Sequence, residues 1–153
     1  MGYPFTIERS LTIPAEAAAV FAEVNDFHRW RAWSPWEGLD ADLDRTYSGA
    51  QQGVGAKYAW NGKNAGAGTM EIVSAQEPRQ IDVDLRFTKP FKATNPTSFV
   101  FEPTADGTKV TWRMTGSNGL VGHLFFKVFK MHDKVGADFD KGLAALSAVV
   151  TRS

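Results

Sequence analysis

Between residues 81 and 87, Ile81, Val83, Leu85 and Phe87 alternate strictly with Asp82, Asp84 and Arg86. A period of two places one set on each face of a strand, so this segment has one apolar and one polar side. The pattern repeats at Phe99 and Phe101, and again at Val110, Trp112 and Met114. Near the N-terminus Phe5, Ile7, Leu11 and Ile13 alternate with Thr6, Glu8, Ser10 and Thr12, with Arg9 falling on the apolar face. Turn residues at Gly49 to Gly53, Asn61 to Gly66, Glu77-Pro78 and Ala105 to Gly107 separate further strands over 43–48, 54–60, 68–75, 80–88, 97–103 and 108–116. Strands with a single apolar face build an antiparallel sheet covered on one side only.

Helical periodicity supplies the cover. Pro14 fits a helix start, and residues 15–24 read as a short helix with Val20, Phe21 and Val24 inward. Asp26 is placed to cap a second short helix running to Trp33, and Ser34-Pro35-Trp36-Glu37 has capping-box spacing for a further helical turn. In the C-terminal segment, 120–152, Val135, Phe139, Leu143, Leu146 and Val150 recur at helical spacing. Gly136 and Gly142 interrupt that stripe and allow close approach. The order is strand, two short helices, about six strands and a long helix, which predicts an α+β fold with the sheet curled around the long helix.

The chain has 153 residues, a length that fits one domain over residues 1–153. Lys and Arg balance Asp and Glu at 17 each, which leaves no net field to draw nucleic acid or an anionic membrane. Without cysteine there are no disulfides, thiolate nucleophiles or cysteine-ligated metals. The three histidines, His28, His123 and His132, share no metal-ligand spacing, so neither a metal nor a cofactor is expected. No apolar run approaches the roughly 20 residues of a membrane span, and the first residues do not read as a signal peptide. The expectation is a soluble cytoplasmic domain.

Several segments carry a resemblance. They are Ile13-Pro14-Ala15 leading into the first helix, Trp33-Ser34-Pro35-Trp36-Glu37, Gly53-Val-Gly-Ala-Lys-Tyr-Ala-Trp-Asn-Gly62, Gly107-Thr-Lys-Val-Thr-Trp112 and Asp140-Lys-Gly-Leu-Ala-Ala-Leu146. In this order the chain resembles the START-like, birch-pollen-allergen-like superfamily. Within it, the likeness is to the bacterial polyketide cyclase/dehydrase and lipid-transport (SRPBCC) branch. That resemblance implies a helix-grip fold with a deep hydrophobic cavity between the curved sheet and the long helix. Periodicity alone implies only that two apolar faces meet.

The residues expected to line such a cavity are Tyr58, Trp60, Met70, Leu85, Phe87, Phe99, Phe101, Trp112 and Met114 from the strands, with Val135 and Phe139 from the long helix. Trp36 is expected at the mouth and Trp33 in the packing beneath it. Phe125 belongs to the apolar segment Leu120 to Met131, which reads as a lid or leading section of the long helix in preference to an amphipathic membrane-contact helix. Tyr58 offers a hydroxyl to a ligand carbonyl. Arg9 either lies in water at a sheet edge or faces inward with a carboxylate partner. His132, beside Asp133, is either a general base at the opening or a solvated helix residue. Asp40, Asp42 and Asp44 read as a solvated edge. No catalytic set is assigned.

The function expected is binding of a hydrophobic lipid- or polyketide-like molecule, without chemistry of its own. A cyclase or dehydratase would instead bring polar groups together inside the cavity. An interaction module of the chaperone co-activator type would show a filled core and an exposed apolar patch.

Overall fold

The computed structural model describes residues 3–37, 40–89, 92–119, 124, 127 and 130–152. Its strands are β1 (Tyr3–Ile13), β2 (Asp44–Gly49), β3 (Ala56–Gly62), β4 (Gly66–Gln76), β5 (Gln80–Lys89), β6 (Ala93–Thr104) and β7 (Gly107–Asn118). They form one antiparallel seven-stranded sheet in the order β1-β7-β6-β5-β4-β3-β2. Hairpins join β2 through β7 in sequence, while β1 closes the far edge by pairing with β7 from Tyr3↔Asn118 to Ile13↔Thr108. The fold is the α+β helix grip.

Alternation dictates the two faces. Ile81, Val83 and Leu85 are buried, Arg86 is exposed, and Asp82 and Asp84 are partly exposed on the outer face. Two register shifts in the β4–β5 pairing, one leaving Thr88 of β5 extra opposite Ala67/Gly68 and one leaving Val73 of β4 extra between Ile72 and Ser74, bend the strands and strengthen the curl of the sheet. Into the concave face packs α2 (Met131–Thr151), whose Phe139, Leu143 and Leu146 are fully buried. Phe139 stacks on Trp112 of the sheet, with centroids 4.2 Å apart and planes 5° from parallel.

Helix α1 (Ala17–Val24) turns Val20, Phe21 and Val24 inward, with Phe21 edge-on to Phe101 at 5.6 Å. It begins later than Pro14 suggests. The Ala15 amide donates to the Ile13 carbonyl and the Ala15 carbonyl accepts from the Thr108 hydroxyl, so helical hydrogen bonding starts only at the Glu16 carbonyl. After α1 comes a 3-10 helix, Phe27–Ala32, with Asp26 accepting from the His28 amide at its start. The crowded aromatics of this segment have a concrete task. Trp30 Nε1 donates to the Val24 carbonyl at 2.8 Å and Trp33 Nε1 to the Glu23 carbonyl at 3.3 Å. The indoles thereby satisfy carbonyls that the end of α1 leaves without helical partners.

The helical turn expected over Ser34–Glu37 is instead a plain turn, closed by the Glu37 amide donating to the Ser34 carbonyl at 3.4 Å. A capping box needs the glutamate side chain to fold back onto the serine amide. The Glu37 side chain reaches out to Arg45 and Tyr58.

The two helix glycines differ. A Cβ on Gly142 would sit 2.8 Å from the Trp112 ring and 3.0 Å from Pro35, both held by packing, whereas a Cβ on Gly136 would meet only the guanidinium end of Arg9. Gly142→Ala is therefore expected to destabilise by about 1–2 kcal/mol, overpacking outweighing the helix-propensity gain. Gly136→Ala is expected to be neutral or to stabilise by up to about 1 kcal/mol as Arg9 swings aside. Urea unfolding of the two variants checks this, and equal effects would contradict it.

Candidate ligand-binding site

Between strands β3 to β7 of the sheet, the segment 27–37 and the first turns of α2 lies a cavity of about 370 Å³. Its floor is built by inward positions of neighbouring strands: Tyr58 and Trp60 of β3, Met70 of β4, Val83, Leu85 and Phe87 of β5, and Trp112 and Met114 of β7. Val135 and Phe139 of α2 form the roof, with Phe27, Trp30 and Trp36 closing one side. Trp60 stands with Nε1 donating to the Ala65 carbonyl at 3.2 Å, and its ring meets Phe87 edge-on at 5.6 Å. Trp36 ties the 34–37 turn to the helix, its Nε1 donating to Asp138 Oδ2 at 3.2 Å.

At one end the wall turns polar. Glu37 accepts from Arg45 Nε through Oε1 at 2.8 Å and from the Tyr58 hydroxyl through Oε2, also at 2.8 Å. Arg45 further donates to the Glu37 carbonyl at 3.1 Å, fastening the turn to β2. Both charged side chains are largely withdrawn from water, with 12% of Glu37 and 18% of Arg45 exposed. The Glu37 hydrogen bond raises the already high pKa of Arg45, against burial, which lowers it. Burial first, then the hydrogen bond to Glu37 and its charge, push the Tyr58 phenol well above its ordinary value. Tyr47, beside Tyr58 at 5.2 Å, is raised first by burial and then by the Glu37 charge.

The sequence profile of the family described as polyketide cyclase / dehydrase and lipid transport matches residues 4–151. The chain belongs to this family. Among solved structures, a protein from Thermobifida fusca is 22% identical with a TM-score of 0.71, the match covering 96% of this chain and 93% of that one. One from Mesorhizobium loti is 12% identical with a TM-score of 0.72, covering 97% and 98%. DynU16, from the dynemicin biosynthetic locus, is 14% identical with a TM-score of 0.64, covering 95% of this chain and 47% of its own. At these identities the likeness is one of fold. No curated protein matches the chain by sequence.

For this polyketide cyclase/dehydrase family member, the cavity gathers most of the residues expected to line it: Trp36, Tyr58, Trp60, Met70, Leu85, Phe87, Trp112, Met114, Val135 and Phe139. Phe99 and Phe101 do not border it. They point inward but farther along the sheet, Phe99 against Trp30, Trp33 and Trp112, and Phe101 against Phe21. Phe125 lies outside the described residues, as does most of the apolar run expected to form a lid. Trp33 is buried in the packing, as its neighbours Trp30 and Phe99 require.

Arg9 resolves both of its alternatives together. It stays on the apolar face of edge strand β1 without a bulge, remains partly exposed, and pairs with Asp140 at 3.3 Å across Gly136. His132 is exposed and bonds the Thr6 carbonyl at 2.9 Å, away from the cavity. Asp40 is more than a solvated edge, since it accepts from the Asn64 and Ala65 amides and holds the β3–β4 turn. Glu37 and Arg45 were not legible as site residues. The only signal was Glu37 at capping-box spacing, which points to a different partner.

Tyr58 gives the site a pH signature. The folded chain holds the phenol proton to higher pH than the unfolded chain does, so its contribution is complete below the ordinary value of 10.0 and is lost as pH rises above it. One such proton gives a slope of about 1.4 kcal/mol per pH unit above pH ~10. Tyr58→Phe is expected to reduce the alkaline loss of stability by about that slope. Urea unfolding at several alkaline pH values measures it, and an unchanged slope would refute the assignment.

Proposed function

We propose that the chain binds a hydrophobic small molecule, lipid- or polyketide-like, between the sheet and α2. The observation that carries this reading is the cavity of about 370 Å³, walled mainly by aromatic, aliphatic and thioether side chains with a few polar groups, Glu37 and the Tyr58 hydroxyl among them. Small-molecule sites are commonly concavities of roughly 300–1,000 Å³ with that make-up. A chain folded only for interaction would be expected to fill this space with side chains. Large exposed apolar residues such as Leu11, Val54 and Val73 sit on β1, the β2–β3 turn and β4. Among the described residues, that distribution favours the cavity over a surface patch.

Native mass spectrometry of the chain purified from its own host tests the proposal. A retained small molecule is expected in the wild type and not in Leu85→Trp, whose larger side chain fills the floor. Equal retention by both chains would overturn the assignment to this cavity.

A second reading has one observation in its favour. Glu37 and the Tyr58 hydroxyl, both in the cavity wall, converge to 2.8 Å. A carboxylate and a phenol at a common point are the elements a dehydratase needs to take a proton beside a ketone and to steady the ketone oxygen. A β-hydroxyketone incubated with the chain would return unchanged from a carrier and lighter by one water from an enzyme.

A further inference from the structure

Four donors in the cavity wall are spent, while Ser34, Asn64 and Lys134 also border it. Trp36 Nε1 donates to Asp138, Trp60 Nε1 to the Ala65 carbonyl, the Tyr58 hydroxyl to Glu37, and the Thr97 hydroxyl to the Asn95 carbonyl at 3.0 Å. Acceptors remain at the polar end. A carboxylate offers about four lone-pair sites and a phenol oxygen accepts as well as donates, so Glu37, Asp138 and Tyr58 can each take a further hydrogen. The Arg45 charge is already committed to Glu37 through two contacts with that residue, at 2.8 and 3.1 Å. Lys134 is exposed at the rim, one helical turn from Asp138. Pairing with it would hold a ligand's anionic group at the water side, outside the apolar space.

We propose that the cavity selects an uncharged hydrophobic ligand by its hydroxyl or other hydrogen-bond donor, seated at Glu37 and Tyr58, and rejects carboxylic acids. This rests on the ligand-binding reading above and adds the chemistry of the recognised group. A bound carboxylate would face the like charges of Glu37 and Asp138, with the Ser34 hydroxyl, the Asn64 amide and the rim Lys134 repaying only part of its lost hydration. A phenol or alcohol gives one hydrogen to Glu37 while its carbon skeleton fills the aromatic floor.

Calorimetric titration with para-butylphenol, butylbenzene and para-butylbenzoate at neutral pH separates the terms. The phenol is expected to bind about tenfold tighter than butylbenzene, and the benzoate about tenfold or more weaker than the phenol. Glu37→Gln, which removes the charge and frees Arg45, is expected to narrow the phenol-to-benzoate ratio by about tenfold. Asp138→Asn, on the half-exposed helix face, is expected to narrow it less and serves if the first variant unfolds. Benzoate binding as tightly as phenol in the wild type would overturn the selectivity while leaving the cavity reading intact. If none of the three bound, or if Leu85→Trp bound them equally well, the cavity reading itself would fall.

Discussion

Trp112→Ala is expected to cost about 3–5 kcal/mol, among the largest effects of any single change. The indole is 2% exposed and touches five other rings: Trp30, Trp33, Trp36, Phe99 and Phe139. It joins the sheet to α2 by direct stacking and to the 27–37 segment by edge contacts. Alanine would leave a void continuous with the cavity, so little local collapse can offset it. Native stabilities are about 5–15 kcal/mol, and the variant should unfold at a clearly lower urea midpoint. Phe87→Ala, at the partly exposed far end of the cavity, should cost distinctly less. A Trp112→Ala loss no larger than that of Phe87→Ala would contradict the keystone role.

The second large effect belongs to the Glu37–Arg45 pair. Glu37→Leu leaves a guanidinium 18% exposed without its carboxylate, and a loss of about 3 kcal/mol is expected. Arg45→Met strands the carboxylate instead, with Tyr58 still donating to it, so its cost should be somewhat smaller. Replacing both is expected to recover most of the stability, because buried ion pairs often exchange for apolar residues at little net cost. Denaturant unfolding of the two single variants and the double variant closes the cycle. Additive losses would mean that the two side chains do not act as a pair.

The one-sided sheet, the succession of elements along the chain and the long helix were legible because one-sided burial writes itself into a period of two and of 3.6 residues. Ile81 to Phe87 and Val135 to Leu146 carry that pattern almost without interruption. Inward parity likewise names Tyr58, Trp60, Leu85 and Trp112 as core-facing, but only the family resemblance implied a cavity beside them. Parity does not tell a residue that faces empty space from one that faces another ring. Phe99 and Phe101 share the inward parity yet are covered by Trp33 and Phe21.

The polar end was hidden for a different reason. Glu37, Arg45 and Tyr58 come from a turn and two strands, and their meeting depends on how the 34–37 turn lies over β2 and β3. Local spacing gave Glu37 a helix-capping role, and tertiary partners with a full charge and a phenol hydroxyl took precedence. Arg9 likewise could be placed only once Asp140 and the cleared space at Gly136 were known to lie opposite it.

The central claim is that a hydrophobic molecule sits between the curved sheet and α2, with its donor toward Glu37. Methyl and indole NMR spectra recorded during titration with para-butylphenol test it directly. Shifts are expected at Trp60, Met70, Leu85, Met114 and Val135, with the Tyr58 ring moving alongside them, and the same titration of Leu85→Trp should leave the signals of Trp60, Met70, Met114 and Val135 unmoved. Shifts confined to surface positions such as Leu11, Val54 and Val73 would contradict the account.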